Sequence, residues 1–125
     1  MRNITISLID DSPRQLEQIK SFIEMAAMGV CEIKINTISD IENLQNHMPL
    51  LLESDYIFCD LHFKDTEMTG DRLLHFISLE GFSGKAYILS GDLVAIDSNI
   101  DMSMRYVSKM NIMKPAFLLK LLEIE

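Results

Sequence analysis

"YIFCDLHF" (residues 56–63) carries one acid, Asp60, in a run that is otherwise apolar and aromatic apart from His62. Its first half, "YIFCD", is a continuous hydrophobic stretch of strand length. Strands with no polar alternation are buried on both faces, and such strands belong to parallel sheets covered by helices. A carboxylate at the end of a buried strand is costly unless a metal, a cation or a reaction uses it. Two other regions bear on Asp60: "LIDDSP" (8–13) near the N-terminus, and the lysines near the other end of the chain.

Working outward, short apolar runs alternate with longer amphipathic ones. "ITISLI" (4–9) is a β-branched strand running into Asp10. Ser12 then offers an N-cap and Pro13 a first helical position, with Leu16, Ile19, Ile23 and Ala26 along one face of the helix that follows. "CEIKINTI" (31–38) alternates with period two, as a half-buried strand does. Ser39 or Asp40 caps a second helix reaching about Leu52, weakened by Pro49. After Asp60, a loop leads to a third helix, "DRLLHFISLE" (71–80), stopped by Gly81. "AYILS" (86–90) is a fourth strand, and 92–104 a poor helix interrupted by Ser, Asn and Asp. "RYVSK" (105–109) is a fifth strand, and "KPAFLLKLLEIE" (114–125) a final helix entered through Pro115. Repeated β-α units of this kind predict an α/β fold with a parallel sheet and helices on both faces. Right-handed crossovers bring the strand C-termini to one edge, where such folds place their sites.

Bulk properties narrow the function. At 125 residues the chain is read as one domain, 1–125, with 48% hydrophobic and 24% charged residues, the balance of a globular protein. Its apolar runs fall far short of the roughly 20 residues that span a bilayer, and "MRNITISLIDD" lacks the pattern of a signal peptide. A cytoplasmic location without membrane association is the resulting expectation. A formal net charge of −8 argues against nucleic acid as a partner, because phosphate contacts need clustered Lys and Arg. It suits a divalent cation or a basic partner instead. Cys31 and Cys59 lack metal-ligand spacing and read as small core residues.

The strand ends carry the chemistry. Strand one ends in Asp10-Asp11, strand three in Asp60, strand four in Ser90 and strand five in Lys109. Alone, "IDDSP" could be a charged helix start, and Ser90-Gly91 a turn. Together they bring three carboxylates, a hydroxyl and an ammonium to one sheet edge. Packed carboxylates need a compensating cation, and oxygen ligands of this kind suit Mg²⁺. A lysine and a hydroxyl can stabilise phosphoryl oxygens, and an Asp can itself be the nucleophile.

The whole chain resembles the receiver domain of two-component response regulators. The resemblance rests on "LIDDSP" (8–13), "YIFCD" (56–60), "AYILSG" (86–91) and "RYVSK" (105–109), in that order and with those spacings. It implies a doubly wound, flavodoxin-like (βα)5 fold of five parallel strands in the order 2-1-3-4-5. Asp60 would be the phosphoacceptor. Asp11 would be a direct Mg²⁺ ligand, Asp10 would act through metal-bound water, and the backbone carbonyl of His62 would complete the protein's share of the shell. Ser90 would be the switch hydroxyl and Tyr106 the switch aromatic. A sensor histidine kinase or a histidine phosphotransfer protein would be the donor, and an output protein would bind through residues 92–122. Such a domain is not an enzyme beyond the phosphorylation and dephosphorylation chemistry at its own Asp.

Three features depart from the family pattern. The family has Lys followed directly by Pro; here Lys109 has the right spacing from Tyr106, whereas Lys114-Pro115 has the dipeptide. Lys109 is preferred, because "RYVSK" reads as a strand and Pro115 as a helix start. The glycine opening the third helix, Gly70, falls later than usual, and the segment from Ser90 to Lys109 is short. Two other classes compete: a receiver-like scaffold that no longer switches, and a phosphohydrolase with an Asp nucleophile. The second class usually carries D-x-D-x-[TV] after the first strand, which "IDDSPRQ" lacks.

Overall fold

The structure is a computed structural model describing residues 3–63, 68–90 and 105–123. Five strands form one parallel sheet: β1 (Asn3–Ile9), β2 (Glu32–Ile38), β3 (Tyr56–Asp60), β4 (Lys85–Ser90) and β5 (Arg105–Ser108). Their order is β2-β1-β3-β4-β5, and every neighbouring pair is parallel. The helices are α1 (Pro13–Ala27), α2 (Met48–Leu52), α3 (Gly70–Leu79), α4 (Lys109–Ile112) and α5 (Pro115–Leu121), with a 3-10 segment over Ile41–His47. The α/β fold and the strand order are those expected from the sequence.

Period-two alternation divides the central strands between two cores. Ile4, Ile6 and Leu8 of β1, with Tyr56 and Phe58 of β3, face a cluster that includes Leu16, Ile19 and Ile23 of α1 and Leu118 of α5. Ile9, Ile57 and Cys59 face the other cluster, with Leu51 of α2 and Leu73, Leu74 and Ile77 of α3. Burial on both faces is why β3 shows no polar alternation before Asp60. Each fully buried Ile, Leu or Phe contributes about 1.5–3 kcal/mol by leaving water. Polar contacts also tie these layers: the Ser7 and Ser54 hydroxyls stand 2.6 Å apart. Tyr56 donates its hydroxyl to the Leu122 carbonyl at 3.0 Å, and Tyr87 donates to that of Leu121 at 3.4 Å. These two bonds fasten the C-terminal end of α5 to the sheet.

Four details differ from the sequence reading. The second helix is a 3-10 segment followed by a separate short helix, with non-helical backbone at Asn43 (φ −109°, ψ 33°). Asp40 leads it without capping its amides, since both carboxylate oxygens accept from Asn43 Nδ2 at 3.0 Å. Strand five ends at Ser108, and Lys109 opens α4. On α1 the buried alanine is Ala27, with Ala26 partly exposed. The helix expected over 92–104 lies outside the described residues.

Candidate functional site

The C-terminal edge of the sheet is built by local backbone bonds. Beyond β1, the Asp10 amide donates to the Ile38 carbonyl at 3.1 Å, extending the ladder by one residue. The Asp10 carboxylate accepts the Ser12 amide at 2.9 Å, an Asx turn that reverses the chain into α1. Ser12 is the N-cap, its hydroxyl accepting the Gln15 amide at 3.3 Å, and Pro13 fills the first turn. The acidic turn and the helix start are therefore one unit. Asp60 ends β3 opposite Leu89 of β4. After it, the chain turns back: Gly70 donates to the Leu61 carbonyl at 2.7 Å, and His62 bridges Thr69 in antiparallel fashion.

Asp10, Asp11 and Asp60 converge there, each with a carboxylate oxygen within 4.8 Å of the others'. Lys109 Nζ lies 2.8 Å from Asp60 Oδ1, their side chains 31% and 14% exposed. Among the described residues one ammonium thus faces three carboxylates, and Asp10 is only 3% exposed. Burial, reinforced by the Asp60 charge and a hydrogen bond with Asp11, pushes the Asp10 carboxyl up to about 6, against the pull of the Ser12 amide and Lys109. The neighbouring Cys59 thiol is fully buried and pushed upward by burial first and Asp60 second, which makes it an inert core group. The donor set fits a hard divalent cation: it is all oxygen, clustered and, among the described residues, faced by a single ammonium.

The other expected residues are placed as follows. Ser90 ends β4, is 3% exposed and pairs with Ser108 of β5. Tyr106 lies in β5 opposite Ile88, partly buried. His62 is exposed within its bridge to Thr69. Lys114 is exposed at the N-cap of α5, whereas the ion pair to Asp60 is made by Lys109. Sequence reading passed over two residues. Gln15 Oε1 accepts Lys109 Nζ at 3.1 Å; in the sequence it is one more polar residue on an amphipathic helix. Asp71, 3% exposed, accepts the Thr69 hydroxyl and, at 2.9 Å, the Arg72 amide. The signal for Asp71 was present, as an acid in a helical first turn.

No family model matches the sequence, and no curated protein matches it. Solved structures do match. A response regulator receiver domain (CheY-like) from Methylobacillus flagellatus superposes with a TM-score of 0.74 at 18% identity, covering 96% of each chain. The signal receiver domain of an HD domain-containing protein from Pseudomonas fluorescens Pf-5 gives 0.71 at 20% identity, covering 98% of this chain and 93% of that one. The isolated REC domain of RcsB from Salmonella enterica serovar Typhimurium, in the presence of phosphomimetic BeF3⁻, gives 0.70 at 22% identity, covering 98% and 87%. The chain has the fold of a response regulator receiver domain.

Proposed function

We propose that residues 1–125 form one receiver domain of a response regulator. It accepts a phosphoryl group on Asp60 from a sensor histidine kinase or a histidine phosphotransfer protein, and it signals by phosphorylation-dependent protein binding. One observation carries this reading: at one sheet edge the Asp60 carboxylate lies 2.8 Å from Lys109 Nζ and within 4.8 Å of carboxylate oxygens of Asp10 and Asp11.

Asp60 attacks phosphorus as the donor's bond to it breaks, and the leaving group keeps the electron pair. Lys109 holds one oxygen of the acceptor and offers a further donor to the phosphoryl oxygens. Asp10 and Asp11, with Asp60 and the His62 carbonyl, would hold Mg²⁺, which supplies charge neutralisation between the acceptor and the incoming phosphoryl group. Ser90, on the strand next to Asp60, supplies a hydroxyl that moves toward the new phosphoryl oxygens; Tyr106 follows it and reshapes the surface over 92–122. The domain carries out no chemistry beyond phosphorylation and dephosphorylation of its own Asp60, binds neither nucleic acid nor membrane, and works in the cytoplasm. Among the described residues no helix is long and apolar enough to cross a membrane.

The test is incubation of the full chain with acetyl phosphate and Mg²⁺, read by intact mass spectrometry. One added, acid-labile phosphate is expected on the wild type and none on Asp60→Asn. A wild type that gains no phosphate would favour the non-switching scaffold, and phosphate on Asp60→Asn would assign the acceptor elsewhere.

A further inference from the structure

A lysine ammonium at the end of a flexible four-carbon stem must lose rotamer freedom before it can stand in one place. Lys109 opens a helix of four residues, and its side chain is 31% exposed, so the backbone alone does not fix its head. Two oxygens do: Asp60 Oδ1 at 2.8 Å and Gln15 Oε1 at 3.1 Å. Between α1 and α4 runs a groove of about 200 Å³, lined by Gln15, Gln18, Ile19, Lys109, Ile112 and Met113. Lys109 lines this groove beside Ile19, Ile112 and Met113, and Gln15 receives its head.

We propose that Gln15 is a positioning residue for phosphoryl transfer: its side-chain carbonyl holds the Lys109 ammonium against Asp60, where it faces the incoming phosphoryl oxygens. Gln15 suits this role because its own backbone is fixed. Its amide donates to the Ser12 hydroxyl at 3.3 Å, and the Ser12 amide donates to Asp10 at 2.9 Å. The turn that presents Asp10 and Asp11 therefore also sets the position of the Lys109 head. An ammonium has three donors; among the described residues Asp60 and Gln15 take two of them, and the third is assigned to the phosphoryl group.

The inference rests on Asp60 being the acceptor. In the reaction with acetyl phosphate, an Asp60 oxygen forms the new bond to phosphorus as the bond from phosphorus to the acetate oxygen breaks. Acetate leaves with the electron pair, and no proton moves.

The experiment measures initial rates of Asp60 phosphorylation by acetyl phosphate with Mg²⁺ in wild type, Gln15→Met, Gln15→Glu, Lys109→Ala and the Gln15→Met/Lys109→Ala double variant, with thermal melts of each. Gln15→Met keeps the side chain's length and removes the acceptor. It is expected to slow the reaction about twofold to fivefold, the size of one exposed bond to a charged group, without lowering the melting temperature. Gln15→Glu restores an acceptor oxygen and should react clearly faster than Gln15→Met, close to the wild-type rate. In the Lys109→Ala background, Gln15→Met should have no further effect, which a merely structural role would not produce. A Gln15→Met rate equal to wild type, equal losses in Met and Glu, or full additivity with Lys109→Ala would each overturn the proposal. A wild type that gains no phosphate on Asp60 would instead sink the receiver reading on which it rests.

Discussion

Gly70 and Asp60 touch through their backbones so closely that a Cβ on Gly70 would stand 2.0 Å from the Asp60 carbonyl oxygen and 2.9 Å from its carbon. The same Cβ would lie 3.2 Å from Cys59 Sγ. The start of α3 is thus seated on the residue proposed to carry the phosphate. The longer loop between them still returns the chain to one fixed point, because Gly70 donates to the Leu61 carbonyl.

Gly70→Ala should therefore be costly despite being a small change in a helix. The clash is with backbone that cannot swing aside, so about 3 kcal/mol of stability should be lost, at the upper end of overpacking costs. Urea denaturation gives the value. Stability equal to wild type would mean that α3 lifts away from Asp60 freely.

Mg²⁺ should stabilise the protein. Among the described residues three clustered carboxylates face one ammonium, and a cation that binds only the folded chain adds about 1.4 kcal/mol at ten times its Kd. For a domain of this size that is a rise of roughly 5 °C in Tm. Asp11→Asn should remove most of the rise. Identical melts of the wild type with and without millimolar Mg²⁺ would count against a metal role for these carboxylates.

The sequence made most of this legible where one physical signal acted alone. The unbroken run of β3, the Ser12-Pro13 helix start and the acids after β1 and β3 each have a local cause that survives in the fold. Reading failed where a side chain redirected the backbone. Asp40 looked like a helix cap, but its carboxylate binds Asn43 Nδ2, and the segment becomes a 3-10 turn before Pro49 starts a new helix. Gln15 was invisible for another reason. Its partner, Lys109, is 94 residues away, and nothing in a helical pattern marks one exposed polar residue as paired.

The two lysines offered by the sequence should now behave differently. Lys109 pairs with Asp60, whereas Lys114 is exposed at the start of α5. Lys109→Ala removes a charge-assisted contact beside a mostly buried carboxylate. It should slow phosphorylation by acetyl phosphate at least tenfold, or uncouple it from partner binding. Lys114→Ala should match wild type in rate and melting temperature. The reverse result would require the chain between them to refold around the site.

The last prediction concerns the cost of keeping Asp10 where it is. Its carboxyl is raised from 3.8 to about 6, chiefly by burial. A raised carboxyl binds its proton more tightly folded than unfolded, so its contribution to stability is fully present below pH 3.8 and is lost as pH rises through about 6. Each unit is worth 1.36 kcal/mol, which makes the loss about 2–3 kcal/mol between pH 4 and pH 7 in metal-free protein. Other carboxylates titrate over the same range, so the informative quantity is the stability difference between wild type and Asp10→Asn. Asparagine keeps an oxygen to accept the Ser12 amide and has no charge to desolvate. Without metal, Asp10→Asn should therefore gain on the wild type by that amount as the pH rises from 4 to 7, and be the more stable protein at neutral pH. Urea denaturation of both proteins in chelator at several pH values decides it. A stability difference that stays flat with pH would show that Asp10 is ionised in the folded chain at ordinary carboxylate pH, and that the site tolerates its three charges without a metal.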